Sequence, residues 1–262
     1  MRLESVKIIQ KHLKELGSVA VAFSGGVDST FLLYIAKEAL GDKVLAITVN
    51  ASATPDRDME DVVDFLYDEG IKHEIIKVDQ LEIEGFKENN PDRCYVCKKA
   101  LFTKIKEVAA EHGIETVIDG TNFDDSFGYR PGIKALKELG IESPLWELHM
   151  GKRTIRELSE FYGLETAYKP SSPCLATRIK TGEEITEEKL QMIEKAEDFL
   201  FEKGFSQIRV RMIGRSTSVE VKKEQVEKLM DIKDEVEEKL KEIGFEKVEI
   251  NPDGYKMGRM DK

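Results

Sequence analysis

The chain has 262 residues, of which 40% are hydrophobic and 35% charged, and 51 Asp and Glu against 40 Lys and Arg give a formal net charge of -11. This composition excludes a disordered chain, a collagen-like repeat and a disulfide-knotted secreted module, and the acidic balance argues against a general phosphate-binding coat and against tRNA as a partner. No apolar run approaches the ~20 residues of a membrane span, and residues 1–5 lead into no apolar signal-peptide stretch, so a cytoplasmic protein without a membrane partner is expected.

Residues 18–23 (SVAVAF) are apolar throughout, as a strand buried in a parallel sheet must be. Helical spacing follows over 30–40, with Gly41 placed to end it. Residues 44–50 read as a second strand, 59–69 as a helix, 74–78 as a third strand, 98–112 as a helix ending before Gly113, and 116–119 (TVID) as a fourth strand. Helices over 133–139 and 154–162 complete this part. Strands separated by helices predict an α/β fold with a doubly wound parallel sheet and right-handed crossovers.

Beyond 170–173 the rhythm changes. A charged helix over 187–203, strands over 207–213 and 218–221, a helix over 224–243 and a strand over 247–250 predict a small α+β C-terminal domain. The domains expected are therefore 1–182 and 183–262, the second for substrate binding or oligomer contacts. A weak repeat runs through it: a helix, then Gly204-Phe205, then a strand, and again a helix, Gly244-Phe245 and a strand. The acidic faces of its two long helices read as solvated surface.

Ser24-Gly25-Gly26-Val27-Asp28-Ser29-Thr30 directly follows the first strand and opens a helix. Glycines let the backbone approach a ligand closely, and free N–H groups at a helix N-terminus favour an anion. Ser24, Ser29 and Thr30 add hydroxyl donors, and Asp28 is suited to hold Mg²⁺. The Walker pattern GxxxxGK[ST] is absent. The string resembles the PP-loop of the N-type ATP pyrophosphatases, a superfamily whose loop grips the pyrophosphate of ATP and whose enzymes adenylate a substrate with release of PPi. Two further strand ends suit a nucleotide, because ligands of open α/β sheets lie beyond the carboxyl ends of the strands. One carries Asn50; the other carries Gly120, Thr121 and Asp125 within 119–125 (DGTNFDD).

The three cysteines are Cys94 and Cys97, in the string RCYVCK ahead of a helix, and Cys174, in SPCL. An odd count argues against a disulfide framework. His12, His73, His112 and His149 do not extend the pair into a zinc-finger spacing. Spacing alone leaves three readings open: an iron–sulfur cluster, a zinc site and unligated thiols. Three thiolates would leave one iron of a [4Fe-4S] cluster open to an outside ligand, whereas four are usual for electron transfer.

Taken together, five strings resemble the LarE-type ATP-dependent sulfur transferases over nearly the whole chain. They are the loop at 24–30, RCYVCK at 93–98, the segment 119–125 continuing to Tyr129-Arg130-Pro131-Gly132, KPSSPCLATR at 169–178, and Arg209-Val210-Arg211. Gly254-Tyr255-Lys256 resembles the family's closing GYR segment, with Lys in place of Arg.

The resemblance implies that ATP and Mg²⁺ activate the carboxylate of a small molecule as an acyl-adenylate, which sulfur then converts to a thiocarboxylate, as in nickel-pincer cofactor synthesis. One branch of the family sacrifices the sulfur of a single cysteine at the position of Cys174. The other uses three cysteines around a [4Fe-4S] cluster that accepts sulfide or another sulfur donor, and the trio Cys94, Cys97 and Cys174 resembles that branch. The same resemblance implies that Arg178, Arg209 and Arg211 bind substrate phosphate, through guanidinium forks suited to it, and it favours a homo-oligomer. Before the resemblance, the alternating arginines read equally as one exposed strand face. The alternatives are a tRNA-thiolating PP-loop enzyme, an ammonia-using amide synthetase and a nucleotide- or redox-sensing module.

Overall fold

A computed structural model describes residues 2–126 and 131–256. The chain forms two compact units: Met1–Ala51, Asp56–Val78 and Cys94–Lys169 in the first, and Ser52–Pro55, Asp79–Arg93 and Pro170–Lys262 in the second. Position 182, where the sequence reading divides the chain, lies inside the second unit, which also draws in two upstream segments.

The first unit carries α1 (Arg2–Leu16), β1 (Val19–Ala22), α2 (Val27–Leu40), β2 (Val44–Ala51), α3 (Asp56–Asp68), β3 (His73–Val78), α4 (Arg93–Glu111, from Cys94 onward), β4 (Val117–Asp119), α5 (Pro131–Glu138), α6 (Pro144–Glu147) and α7 (Lys152–Phe161). Its four strands are parallel in the order β3-β2-β1-β4. Alternation along the strands sends side chains to both faces. Val19, Val21, Val44 and Ala46 pack with α1, α2, α3 and α7 through Leu13, Phe31, Val62 and Leu158. Ala20, Leu45 and Ile47 meet Phe102, Ile105 and Ala109 of α4 on the other face. The sheet is thus doubly wound, as expected, and the order reverses at β1, the strand that feeds the glycine loop.

The second unit carries α8 (Glu187–Glu202), β5 (Arg209–Ile213), β6 (Ser216–Glu220), α9 (Val226–Asp231), α10 (Lys233–Ile243) and β7 (Lys247–Ile250). Its sheet has the order β5-β6-β7, with β5 antiparallel and β7 parallel to β6. The repeat has a physical basis. Gly204 (φ +80) and Gly244 (φ +122) end α8 and α10 in a left-handed turn, and Phe205 and Phe245 behind them are buried.

Three elements depart from the sequence reading. α1 was not foreseen, although its buried Val6, Ile9 and Leu13 fall at helical spacing. α6 is a single turn started by Pro144. The helix expected over 224–243 is two helices, because the chain leaves helical geometry at Ile232 (φ -109, ψ 20); no Gly or Pro marks that point. Among the described residues, no helix is long and apolar enough to cross a membrane.

Candidate active site

β1 ends by placing Phe23 N–H on the Ile47 carbonyl at 2.9 Å. The chain then turns at Gly25, whose φ of +67 and whose close approach to α3 both demand glycine: a Cβ there would lie 2.7 Å from Val62 Cγ2. Gly26 is the N-cap of α2 and offers no side chain to its first-turn N–H groups. Those donors and the positive end of the helix dipole are left for an anion. Ser29 Oγ donates to the Gly26 carbonyl (3.1 Å), accepts from Ser24 N–H (3.3 Å) and lies 3.1 Å from Ser24 Oγ, so the two serines brace the turn. Thr30 is fully buried in α2, and its hydroxyl has no hydrogen-bond partner among the described residues.

Asp28 stands in the first turn of α2, with Oδ2 on Lys152 Nζ; Oδ1 is enclosed, has no close hydrogen-bond partner among the described residues, and has the Asn122 side chain nearby. Burial pushes its carboxyl above the ordinary carboxylate range, Lys152 pulls it back, and the charge of Asp125 pushes it up again. A half-buried carboxylate with an enclosed oxygen beside an open helix N-terminus fits a phosphate-bound Mg²⁺. Lys152 opens α7, and the Asp124 carboxylate accepts from its backbone N–H at 2.7 Å. The loop after β4 is itself braced, with Asn122 N–H on Asp125 Oδ2 (3.2 Å) and Asp124 N–H on Asn122 Oδ1 (2.9 Å).

Gly120 is the second position where close approach requires glycine. A Cβ there would sit 2.8 Å from the backbone N of Ser29, so the end of β4 and the nucleotide loop touch through backbone. Beside it, Asp119 accepts from Thr121 Oγ1 and Ser143 Oγ, both at 2.6 Å, with Lys98 Nζ at 3.9 Å. Asn50 lies half-buried at the carboxyl end of β2. The first unit therefore gathers Ser24, Gly25, Gly26, Asp28, Ser29, Gly120, Thr121 and Asp125 at the carboxyl ends of β1 and β4. Tyr129 and Arg130 lie outside the described residues.

Cys94 and Cys97 sit one turn apart at the start of α4, the first exposed and the second buried; neither they nor Cys174 are in a disulfide. In the second unit, the Cys174 carbonyl receives Thr177 N–H (3.0 Å), Thr177 Oγ1 (2.9 Å) and Arg178 Nη1 (3.2 Å). Leu175 N–H binds the Ala53 carbonyl at 2.8 Å. Three thiols outside disulfides, with no fourth cysteine in the chain, are a donor set that suits a cluster with one open iron.

The arginines are not an exposed strand face. Arg178 is fully buried against Glu197, and Arg211 pairs with buried Glu220 at 2.9 Å. Arg209, also buried, has no carboxylate within ion-pair distance among the described residues. Its Nη2 donates to the Ser171 carbonyl (2.8 Å) and its guanidinium lies 5.0 Å from the Tyr255 ring centre. Burial and the nearby Arg178 charge lower its pKa to about 10. Tyr255 also faces Arg211 at 6.0 Å, so the C-terminal Gly-Tyr-Lys segment packs onto Arg209 and Arg211.

Sequence reasoning missed Lys152, whose partner Asp28 is 124 residues away; its only signal is a basic residue at a helix start after a glycine. It also missed Glu197, a fully buried residue of a helix read as a solvated face.

A family model described as NAD synthase matches residues 3–107. An uncharacterised protein of Synechocystis sp. is 36% identical over 97% of this chain and 96% of its own length. The pyridinium-3,5-bisthiocarboxylic acid mononucleotide synthase of Lactiplantibacillus plantarum is 32% identical over 95% of this chain and 91% of its own. A glutamine-hydrolysing GMP synthase chain of Archaeoglobus fulgidus is 27% identical over 82% of this chain and 75% of its own. The reversal of strand order at β1, the uncapped loop and these matches define a PP-loop protein of the N-type ATP pyrophosphatase superfamily. Within that superfamily, the chain belongs to the LarE-type ATP-dependent sulfur transferases.

Proposed function

We propose that the protein adenylates the carboxylate of a pyridinium mononucleotide and replaces an oxygen of that carboxylate with sulfur. The observation that carries the reading is Asp28, half-buried at the open end of α2 with one enclosed oxygen that has no close hydrogen-bond partner among the described residues. The full-length similarity to the thiocarboxylate-forming synthase supports the substrate class.

The first-turn N–H groups of α2 and the Ser24 and Ser29 hydroxyls would hold the β- and γ-phosphates of ATP. Asp28, relieved of Lys152, would take Mg²⁺, and Lys152 would turn to phosphate. Gly120, Thr121 and Asp125 would border the nucleotide, and Asn50 would lie along its edge. Thr30, buried in the helix, would brace the loop from below. The substrate carboxylate oxygen then attacks the α-phosphorus; the new O–P bond forms as the bond to PPi breaks. Fixed donors aimed at the charge leaving on PPi favour that step.

Sulfur next attacks the acyl carbon and the C–O bond to AMP breaks. Cys94, Cys97 and Cys174 would hold a [4Fe-4S] cluster, which when bound supplies an open iron where sulfide is kept deprotonated. Arg209, without a carboxylate of its own, is suited to the substrate phosphate, with Arg178 and Arg211 behind it. We further propose a cytoplasmic homo-oligomer that takes sulfide or another small sulfur donor, and no tRNA.

The test is an anaerobic iron and sulfide assay on wild type and Cys97→Ala, paired with PPi release on candidate carboxylates. The expected result is about four irons and four sulfides per chain, lost in the variant, with PPi released by both proteins. An iron-free wild type that still forms thiocarboxylate once per chain would place the sulfur on Cys174 itself. Absence of PPi with every carboxylate tried would overturn the reading.

A further inference from the structure

Away from the nucleotide loop, α1 and α6 bring a second set of donors together. His12 of α1, Glu142 just before α6 and Glu147 at its end offer a nitrogen and two carboxylate oxygens, all within 4.8 Å of one another. His12 Nε2 is enclosed and has no hydrogen-bond partner among the described residues, and Glu147 Oε2 lies 3.6 Å from it. An enclosed ring nitrogen without a hydrogen bond is costly. Two carboxylates held this close repel one another, and a cation between them would offset that repulsion.

We propose that His12, Glu142 and Glu147 form a binding site for a divalent transition-metal ion of the zinc class. One imidazole and two carboxylates are borderline donors, which suit Zn²⁺ or Co²⁺, whereas Mg²⁺ and Ca²⁺ favour oxygen alone. Bonds of ~2.0–2.2 Å require only small side-chain movements from the spacing present. The Glu147 side chain is 37% exposed, so water can reach the carboxylate side of the site even though the His12 nitrogen is enclosed.

The supports around the ligands are in place. Glu147 Oε1 accepts Ser143 N–H at 3.2 Å, which leaves Oε2 for the ion. The backbone of Glu142 is fixed to β4 on both sides, by Glu142 N–H to the Val117 carbonyl (3.1 Å) and Asp119 N–H to the Glu142 carbonyl (2.9 Å). An ion here ties α1 to the end of β4, next to Asp119 and Gly120. The site is structural or regulatory rather than catalytic, and it is independent of the proposed activity, since none of its ligands serves in that reaction.

The experiment uses the full chain with Cys94, Cys97 and Cys174 changed to Ser, so that thiolates cannot compete, stripped of metal with a chelator. Zn²⁺ is titrated by calorimetry and Co²⁺ by absorption. The expected result is one ion per chain, with a cobalt spectrum free of thiolate charge-transfer bands. His12→Gln and Glu142→Gln in the same background are each expected to weaken binding at least about 10-fold, with an unchanged far-ultraviolet circular dichroism spectrum. No uptake of either metal at micromolar concentration would overturn the proposal, as would equal affinity in His12→Gln. Should the cysteine-free chain fail to fold, Co²⁺ added to the wild type decides: a second ion without thiolate bands that is lost in His12→Gln supports the site, and its absence overturns it.

Discussion

Arg178 and Glu197 form a fully buried bidentate pair, with Nε on Oε1 at 2.9 Å and Nη2 on Oε2 at 2.8 Å. The pair does more than cancel charge. Arg178 Nη1 donates to the Pro173 carbonyl at 2.6 Å and reaches that of Cys174, while Glu197 Oε1 also accepts Val210 N–H at 3.0 Å. Two side chains thus tie the Cys174 turn to α8 and to β5, the strand that carries Arg209.

Glu197→Gln is expected to cost about 3–5 kcal/mol, because it leaves the Arg178 charge buried without a counterion. In a chain of this size that lowers Tm by roughly 10 °C, measurable by calorimetry. The pH dependence has a definite sign. Burial alone would raise the Glu197 carboxyl, but Arg178 and Val210 N–H hold it below its ordinary 4.5. Its stabilisation is complete above pH 4.5 and is lost as pH falls through the lowered value. The variant is expected to lack that part of the acid-side slope.

Lys152→Met removes the cation on Asp28, so the carboxyl, already raised by burial, climbs further. Mg²⁺ needs the ionised form. The acid limb of PPi release is therefore expected to shift to higher pH in the variant, whereas Asp28→Asn is expected to reduce the rate about 100-fold or more at every pH. A pH-rate profile of the three proteins checks both.

Gly120→Ala places a methyl 2.8 Å from Ser29 N, and backbone on both sides cannot yield cheaply. The expected cost is about 1–3 kcal/mol of stability, with an ATP affinity at least about 10-fold weaker by calorimetry, since the displaced N–H groups are the proposed phosphate donors.

Cys174→Ala is expected to abolish thiocarboxylate formation and leave ATP affinity near that of the wild type. Product detection by mass spectrometry and nucleotide titration on the same sample separate the two effects. Loss of both would make Cys174 a structural residue.

The parallel sheet was legible because β1 is a continuous apolar run and β2 a largely apolar one, punctuated by the glycine loop and by Gly41. The loop was legible because few sequences other than a ligand cradle place two glycines, two serines and an aspartate between a strand and a helix. The tertiary partners were not. Alternation puts Arg209 and Arg211 on one side of a strand, but cannot say whether Tyr255 and Glu220 cover that side. A glutamate in an acidic helix looks like surface until the arginine that buries it is located, as with Glu197. Lys152 belongs to no local pattern, and its meaning arises only when α7 meets α2. The split at Ile232 carries no breaker residue, so periodicity ran through it.

The interleaving of the two units along the chain constrains how the protein can be made. Asn89, fully buried in a left-handed turn, gives its side-chain amide to the Lys180 carbonyl 91 residues later, and Ala53 waits for Leu175. At ribosomal rates of about 5–20 residues per second, the segment around Asn89 emerges roughly 5–20 s before its partner exists. The first unit is complete in the nascent chain at residue 169, whereas the second waits for the whole of the first and for residues 170–262. The native structure of the second unit therefore forms late in synthesis, and a fragment cut at residue 169 strands the segments 52–55 and 79–93 with their polar groups and apolar surface uncovered.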